Sequence, residues 1–175
     1  MKSYKGKRPR IVIAFMLFLS LSGLYSLGQN KYPTLSLDGI GEIKTQMKLT
    51  DLENLVGKKV YNSMHKGEPF HCVYKKISLD ITFTYVNNNA VVAEIYTNSN
   101  LSKTSLGISV GDSKLKVFKL YKDYIELYSP AEDGLQPNIA VYHEHDEYDR
   151  TITFYLTKDL VKGFKISFHE PTRID

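Results

Sequence analysis

A single cysteine, Cys72, stands in 175 residues, and tryptophan is absent. One cysteine excludes an intrachain disulfide, so the fold must be held by burial alone. Apolar runs are as scarce, because the only long one lies between Ile11 and Leu27, behind a cluster of Lys2, Lys5, Lys7, Arg8 and Arg10. It is short for a membrane span and is interrupted by Ser20, Ser22 and Gly23, with small residues at Ser26 and Gly28. Residues 1–28 therefore read as a secretory signal cleaved before Gln29. An uncleaved N-terminal anchor is the alternative, and both place the domain outside the cytoplasm, in the periplasm or the medium. No membrane span is expected after cleavage. Cys72 is far from the signal and follows no lipobox, so lipidation there is excluded.

Charge of one sign is also missing once the signal is set aside. The chain has 23 basic and 19 acidic residues, and five of the basic ones belong to residues 1–28, leaving 18 against 19. A near-neutral domain lacks the phosphate-neutralising surface that nucleic acid requires. Its mixed charges equally disfavour a polybasic membrane binder.

What is present is a repeat. ITFTYVNNNAVVAEIYT, from Ile81 to Thr97, lies without a gap over ITFYLTKDLVKGFKISF, from Ile152 to Phe168, with identity at Ile81/Ile152, Thr82/Thr153, Phe83/Phe154 and Ile95/Ile166. Each segment reads as a hairpin of alternating strands. Ile77, Leu79, Ile81, Phe83 and Tyr85 share one face, with Ala93 and Ile95 on the partner strand. In the second copy Ile152, Phe154, Leu156, Phe164, Ile166 and Phe168 point inward. A preceding strand is expected at Phe70 to Lys76 and at Ile139 to His145.

Each hairpin has a helix before it. Ile43, Met47, Leu52 and Leu55 recur at roughly helical spacing and end at Gly57, suited to a left-handed C′ position. The start is open between a Thr50/Glu53 capping box and Lys48 or Leu49. In the second half Gly111 and Asp112 make a turn, Ser113 caps, and Leu115, Val117, Leu120 and Tyr121 form the stripe. The helices align with a shift of 65 residues and the hairpins with 71, which puts about six inserted residues near Pro130 and Gly134. The expected fold is α+β: two tandem units of a helix and a three-stranded antiparallel sheet, able to share one sheet. Residues 29–38 are a lead-in, 39–100 the first unit and 101–175 the second.

This order of turn, capping residue, short striped helix and I-x-F hairpin resembles the repeat of β-lactamase-inhibitory-protein-like domains. It is also similar to small outer-membrane assembly lipoproteins of the SmpA/OmlA type. The turn of that repeat reads roughly Gly-Met-Ser/Thr; here it is Gly111, Asp112 and Ser113 in one copy and Gln46, Met47 and Lys48 in the other. The resemblance implies helices packed on a three-stranded antiparallel sheet, two units in tandem, and protein binding through an exposed sheet face. It does not carry over β-lactamase inhibition, and the missing lipobox departs from the lipoprotein pattern.

Two clusters are candidates for function. Tyr96, Tyr142 and Tyr155 fall on the outward register beside Thr82, Thr84, Thr153 and Glu94, an amphipathic strand surface suited to contact with a protein partner. Tyr and Thr are also ordinary strand formers. The second cluster is His143 and His145, which share a strand face and could ligate zinc or copper, with His169 or His71 as a third ligand. It supports an alternative metal- or ligand-binding domain. Helical H-E-x-x-H, Gly-rich phosphate loops and the G-x-S-x-G elbow are absent, and His71 and Cys72 point to opposite faces. No cofactor is implied, and a non-enzymatic binding module is the favoured expectation.

Overall fold

A computed structural model describes residues 32–60, 68–129, 138–143 and 149–169. Its centre is a seven-stranded antiparallel sheet, ordered β4-β5-β6-β11-β10-β9-β8. These strands are β4 (Phe70–Tyr74), β5 (Ile77–Val86), β6 (Asn89–Thr97), β8 (Ile125–Ser129), β9 (Asn138–His143), β10 (Asp149–Thr157) and β11 (Leu160–His169). A smaller sheet holds β1 (Thr34–Ser36), β2 (Gly39–Ile40), β3 (Ile43–Lys44) and β7 (Lys103–Thr104), in the order β3-β2-β1-β7. The helices are α1 (Leu49–Val56) and α2 (Lys114–Tyr121). The class is α+β, mostly strand. Among the described residues no helix is long and apolar enough to cross a membrane.

One row of side chains crosses the whole large sheet. Phe70 pairs Ile81, Ile81 pairs Ile95, Ile95 pairs Ile166, Ile166 pairs Ile152, Ile152 pairs Val141, and Val141 pairs Ile125. All but Ile125 are buried, and they share one core with Leu52 of α1 and with Val117 and Tyr121 of α2. Alternation with period two explains the row, because residues two apart on a strand face the same layer. Each fully buried side chain contributes about 1.5 to 3 kcal/mol. The middle of the row, Ile95 beside Ile166, is the seam between β6 and β11, which pair over only four residue pairs.

The hairpins close with two-residue turns at Lys75–Lys76, Asn87–Asn88 and Lys158–Asp159, every one at positive φ. That is the signature of turns whose twist matches the strands; Asn tolerates it and Lys does so at a cost. The chain before each helix docks on the second strand of its hairpin. The Gln46 N–H donates to the Val92 carbonyl, and the Val92 N–H to Met47. Likewise the Gly111 N–H donates to Val161, and the Val161 N–H to Asp112. Gln46 and Gly111 both take positive φ there, 64° and 94°.

The helix boundaries correct one expectation and support another. Ile43 lies on β3 and Gln46 is left-handed, so the apparent stripe from Ile43 does not belong to a helix, and α1 begins only after Lys48. No side chain caps α1; Glu53 instead receives hydrogen bonds from Lys59 Nζ and the Val60 N–H. Gly57 ends it in the left-handed conformation, φ 67°. Ser113 caps α2, accepting from the Lys116 N–H at 3.2 Å. Only Val117 and Tyr121, one turn apart, are buried on α2; Leu115 is 74% exposed.

Three further departures have local causes. A bulge leaves Ala93 without a partner on β5, so Val92 takes the core position expected of Ala93, and Tyr85 beyond it is 68% exposed. The stretch read as a lead-in carries β1, whose Leu35 is fully buried. Edge strand β8, paired to β9, is a fourth strand where three were expected; Pro130 and Gly134, near which the insertion was expected, lie outside the described residues.

Candidate functional site

On the face of the sheet opposite the row, Asp80, Thr82, Glu94, Tyr96, Tyr155, Lys165 and Pro69 line a shallow depression of about 400 Å³. It straddles the seam. Tyr96 pairs with Lys165 across β6 and β11 and with Asp80 across β5 and β6. Its ring meets that of Tyr155 edge to face, centroids 5.9 Å apart and planes at 66°.

Tyr96 reaches Tyr155 because Gly163, buried and paired with Tyr155, offers no side chain. A Cβ there would lie 2.7 Å from the Tyr96 hydroxyl oxygen and 3.0 Å from two ring carbons. Glycine is thus required by the ring above it, an aromatic covering a strand glycine.

Charges complete the site. Lys165 Nζ donates to Glu94 Oε1 at 2.9 Å, with both side chains about a third exposed. Burial works to lower the Lys165 pKa, but the Glu94 hydrogen bond and charge overcome it and hold the ammonium above its ordinary value. Burial, then the Asp80 charge, pushes the Tyr96 phenol up. Asp80 meets His71 Nδ1 at 2.5 Å at the edge of the depression.

Glu94 and Lys165 occupy the same position in the two hairpin sequences. At the seam these positions approach diagonally, where equal charges would repel and opposite ones attract. The opposite charges at this position therefore favour the pairing of the two segments with each other.

Of the outward residues expected, Tyr96, Tyr155, Thr82 and Glu94 come together. Thr153 adjoins them, opposite Lys165. Thr84 stands apart, exposed beyond the bulge and opposite Val91. Tyr142 and His143 hold β9 positions opposite Thr151 and Arg150, but their side chains lie outside the description. His145 lies outside the described residues. Among the described residues no three His, Cys, Asp or Glu groups gather to hold a metal.

Cys72 is 5% exposed and paired with Leu79. Burial pushes its thiol up to about 11, so it is not the low-pKa thiolate that nucleophilic chemistry requires. His71, on the other face, is engaged with Asp80.

The chain matches no known family model, no characterised protein and no solved structure. Lys165 and Asp80 were missed from sequence as site residues. The register of the repeat offered one signal, since Lys165 is the counterpart of Glu94.

Proposed function

We propose that this chain is an exported, non-enzymatic binding module made of two tandem units, whose outward sheet face at the seam receives a protein partner. An envelope protein or a secreted enzyme is the class of partner that the export signal and the resemblance suggest.

The observation that carries the reading is the Tyr96–Tyr155 pair, set over Gly163 and bordered by the Glu94–Lys165 ion pair. Two rigid amphipathic rings beside fixed charges are the composition that protein interfaces favour, because tyrosine supplies area at small entropic cost. The tandem reading is supported by the like bonding of Gln46 and Met47 to Val92, and of Gly111 and Asp112 to Val161. It is supported too by the hairpins meeting at Ile95 and Ile166, which are equivalent in the repeat.

The test uses immobilised protein to capture binders from envelope and secreted extracts, identified by mass spectrometry. Changing Tyr96, Tyr142 and Tyr155 together to Ala should leave a folded domain and abolish the specific capture. Capture that is unchanged by the triple substitution refutes the proposal.

A further inference from the structure

The depression at the seam carries an unbalanced charge. Among its lining residues the carboxylates of Asp80 and Glu94 stand against one ammonium, that of Lys165. Glu94 is already engaged at both oxygens, because Lys165 Nζ donates to Oε1 at 2.9 Å and the Thr82 hydroxyl donates to Oε2 at 3.5 Å. The remaining negative charge is therefore that of Asp80.

Asp80 is also the most exposed of these three charges, its side chain at 38% against 32% for Glu94 and 29% for Lys165. Among the described residues no lysine or arginine pairs with it. His71 Nδ1 meets its Oδ1 at 2.5 Å, and that ring carries charge only when protonated. Asp80 stands directly opposite Tyr96 across β5 and β6, so carboxylate and ring are neighbours on one face. An apolar side chain seated there would desolvate the carboxylate without pairing it, and an acidic one would meet a like charge. A cation suits both neighbours, since it pairs with the carboxylate and is attracted to the face of a tyrosine ring.

We propose that the partner received by this face inserts an arginine side chain into the depression, its guanidinium paired with Asp80 and laid on the Tyr96 ring. The inference rests on the seam face being a docking surface, and it names what the partner presents there. Arginine is selected over lysine because a planar guanidinium can donate to a carboxylate and stack on an aromatic ring at once, whereas an ammonium is a point charge.

The experiment titrates the full chain, labelled with nitrogen-15, with the end-blocked peptide Gly-Gly-Arg-Gly-Gly and with its citrulline and glutamate counterparts, followed by NMR at low salt. The arginine peptide should give saturable shifts at the amides of Asp80, Tyr96 and Gly163 in the millimolar range. It should bind at least about fivefold more tightly than the citrulline peptide, which keeps the shape without the charge. The glutamate peptide should give no saturable shift there. Asp80→Asn should keep the fold and lose most of the preference for arginine, while Asp51→Asn, an equal loss of charge at an exposed position of α1, should retain it. The proposal is overturned if these amides show no saturable shift, if arginine and citrulline bind equally, or if the preference survives Asp80→Asn. The two readings fail separately. Capture from extracts that the triple tyrosine substitution abolishes and Asp80→Asn leaves unchanged overturns the arginine and leaves the docking face standing.

Discussion

Replacing Gly163 with alanine tests how the Tyr96 ring is held. Gly163 is buried on β11 and has no positive φ, so alanine meets no backbone strain. The obstacle is the ring, since the new Cβ would stand 2.7 Å from the Tyr96 hydroxyl oxygen and 3.0 Å from Cε2 and Cζ. Van der Waals contact requires the ring to withdraw by roughly 0.5 to 1 Å, against Tyr155. Overpacking of this kind costs about 1 to 3 kcal/mol. Removing a glycine from a strand offsets about 0.5 to 1 kcal/mol. Gly163→Ala should therefore destabilise by about 1 kcal/mol. In a Tyr96→Ala background the clash is gone, and the same substitution should stabilise by about 0.5 kcal/mol. Urea unfolding of the four proteins gives a double-mutant cycle with a coupling of about 1.5 kcal/mol. Additivity within about 0.5 kcal/mol would refute the packing of Tyr96 over Gly163. Gly163→Ala should also weaken partner capture, because it moves the ring without deleting it.

Three other perturbations test separate parts of the structure. Gln46→Gly should stabilise by about 1 kcal/mol in thermal unfolding, since it relieves a non-glycine at φ 64° and removes a buried amide nitrogen without a partner; a loss of stability would contradict the left-handed assignment. Glu94→Lys should lower stability by about 1 kcal/mol, with the reverse pair Glu94→Lys/Lys165→Glu recovering most of it; no recovery would show that the seam does not read charge. The Cys72 thiol is raised when folded, so its contribution is full below its unfolded pKa and is lost as pH rises towards about 11. Tyr96, Tyr121 and Lys165 are raised as well and add to the same alkaline loss. Denaturant melts at pH 8 and pH 10.5 should show a fall in stability, smaller by up to about 2 kcal/mol for Cys72→Ala; an identical fall would count against the buried thiol.

The parts legible in sequence were those written in local chemistry. Alternation placed Ile81, Ile95, Ile152 and Ile166 inward, Gly57 marked the end of α1, and Ser113 marked the start of α2. The small sheet was not legible, because two-residue strands such as β2 and β3 are too short to show a period. Ile43 and Met47 mimicked a helical stripe only because their spacing to Leu52 and Leu55 happened to suit one, while the left-handed Gln46 between them breaks the helix. For the candidate site, outward Tyr96, Tyr155, Thr82 and Glu94 followed from strand phase. Asp80 joins Tyr96 within the β5–β6 hairpin, but the meeting of these residues with Tyr155 and Lys165 depended on β6 pairing β11 in one register, which joins Glu94 to Lys165, 71 positions apart, and leaves no local mark.

That seam gives the depression an unusual dependence. Asp80, Thr82, Glu94 and Tyr96 come from β5 and β6, while Tyr155 and Lys165 come from β10 and β11, so neither half of the chain holds the surface alone. A partner bound there would grip both sides of a junction of four residue pairs, and its binding energy would add to the free energy that keeps the sheet in one piece. Cutting the chain in the segment between Thr97 and Lys103 would convert this dependence into a reporter. Two fragments, each without the surface, would regain it on reassembly, and a partner would act as the clamp that draws them together.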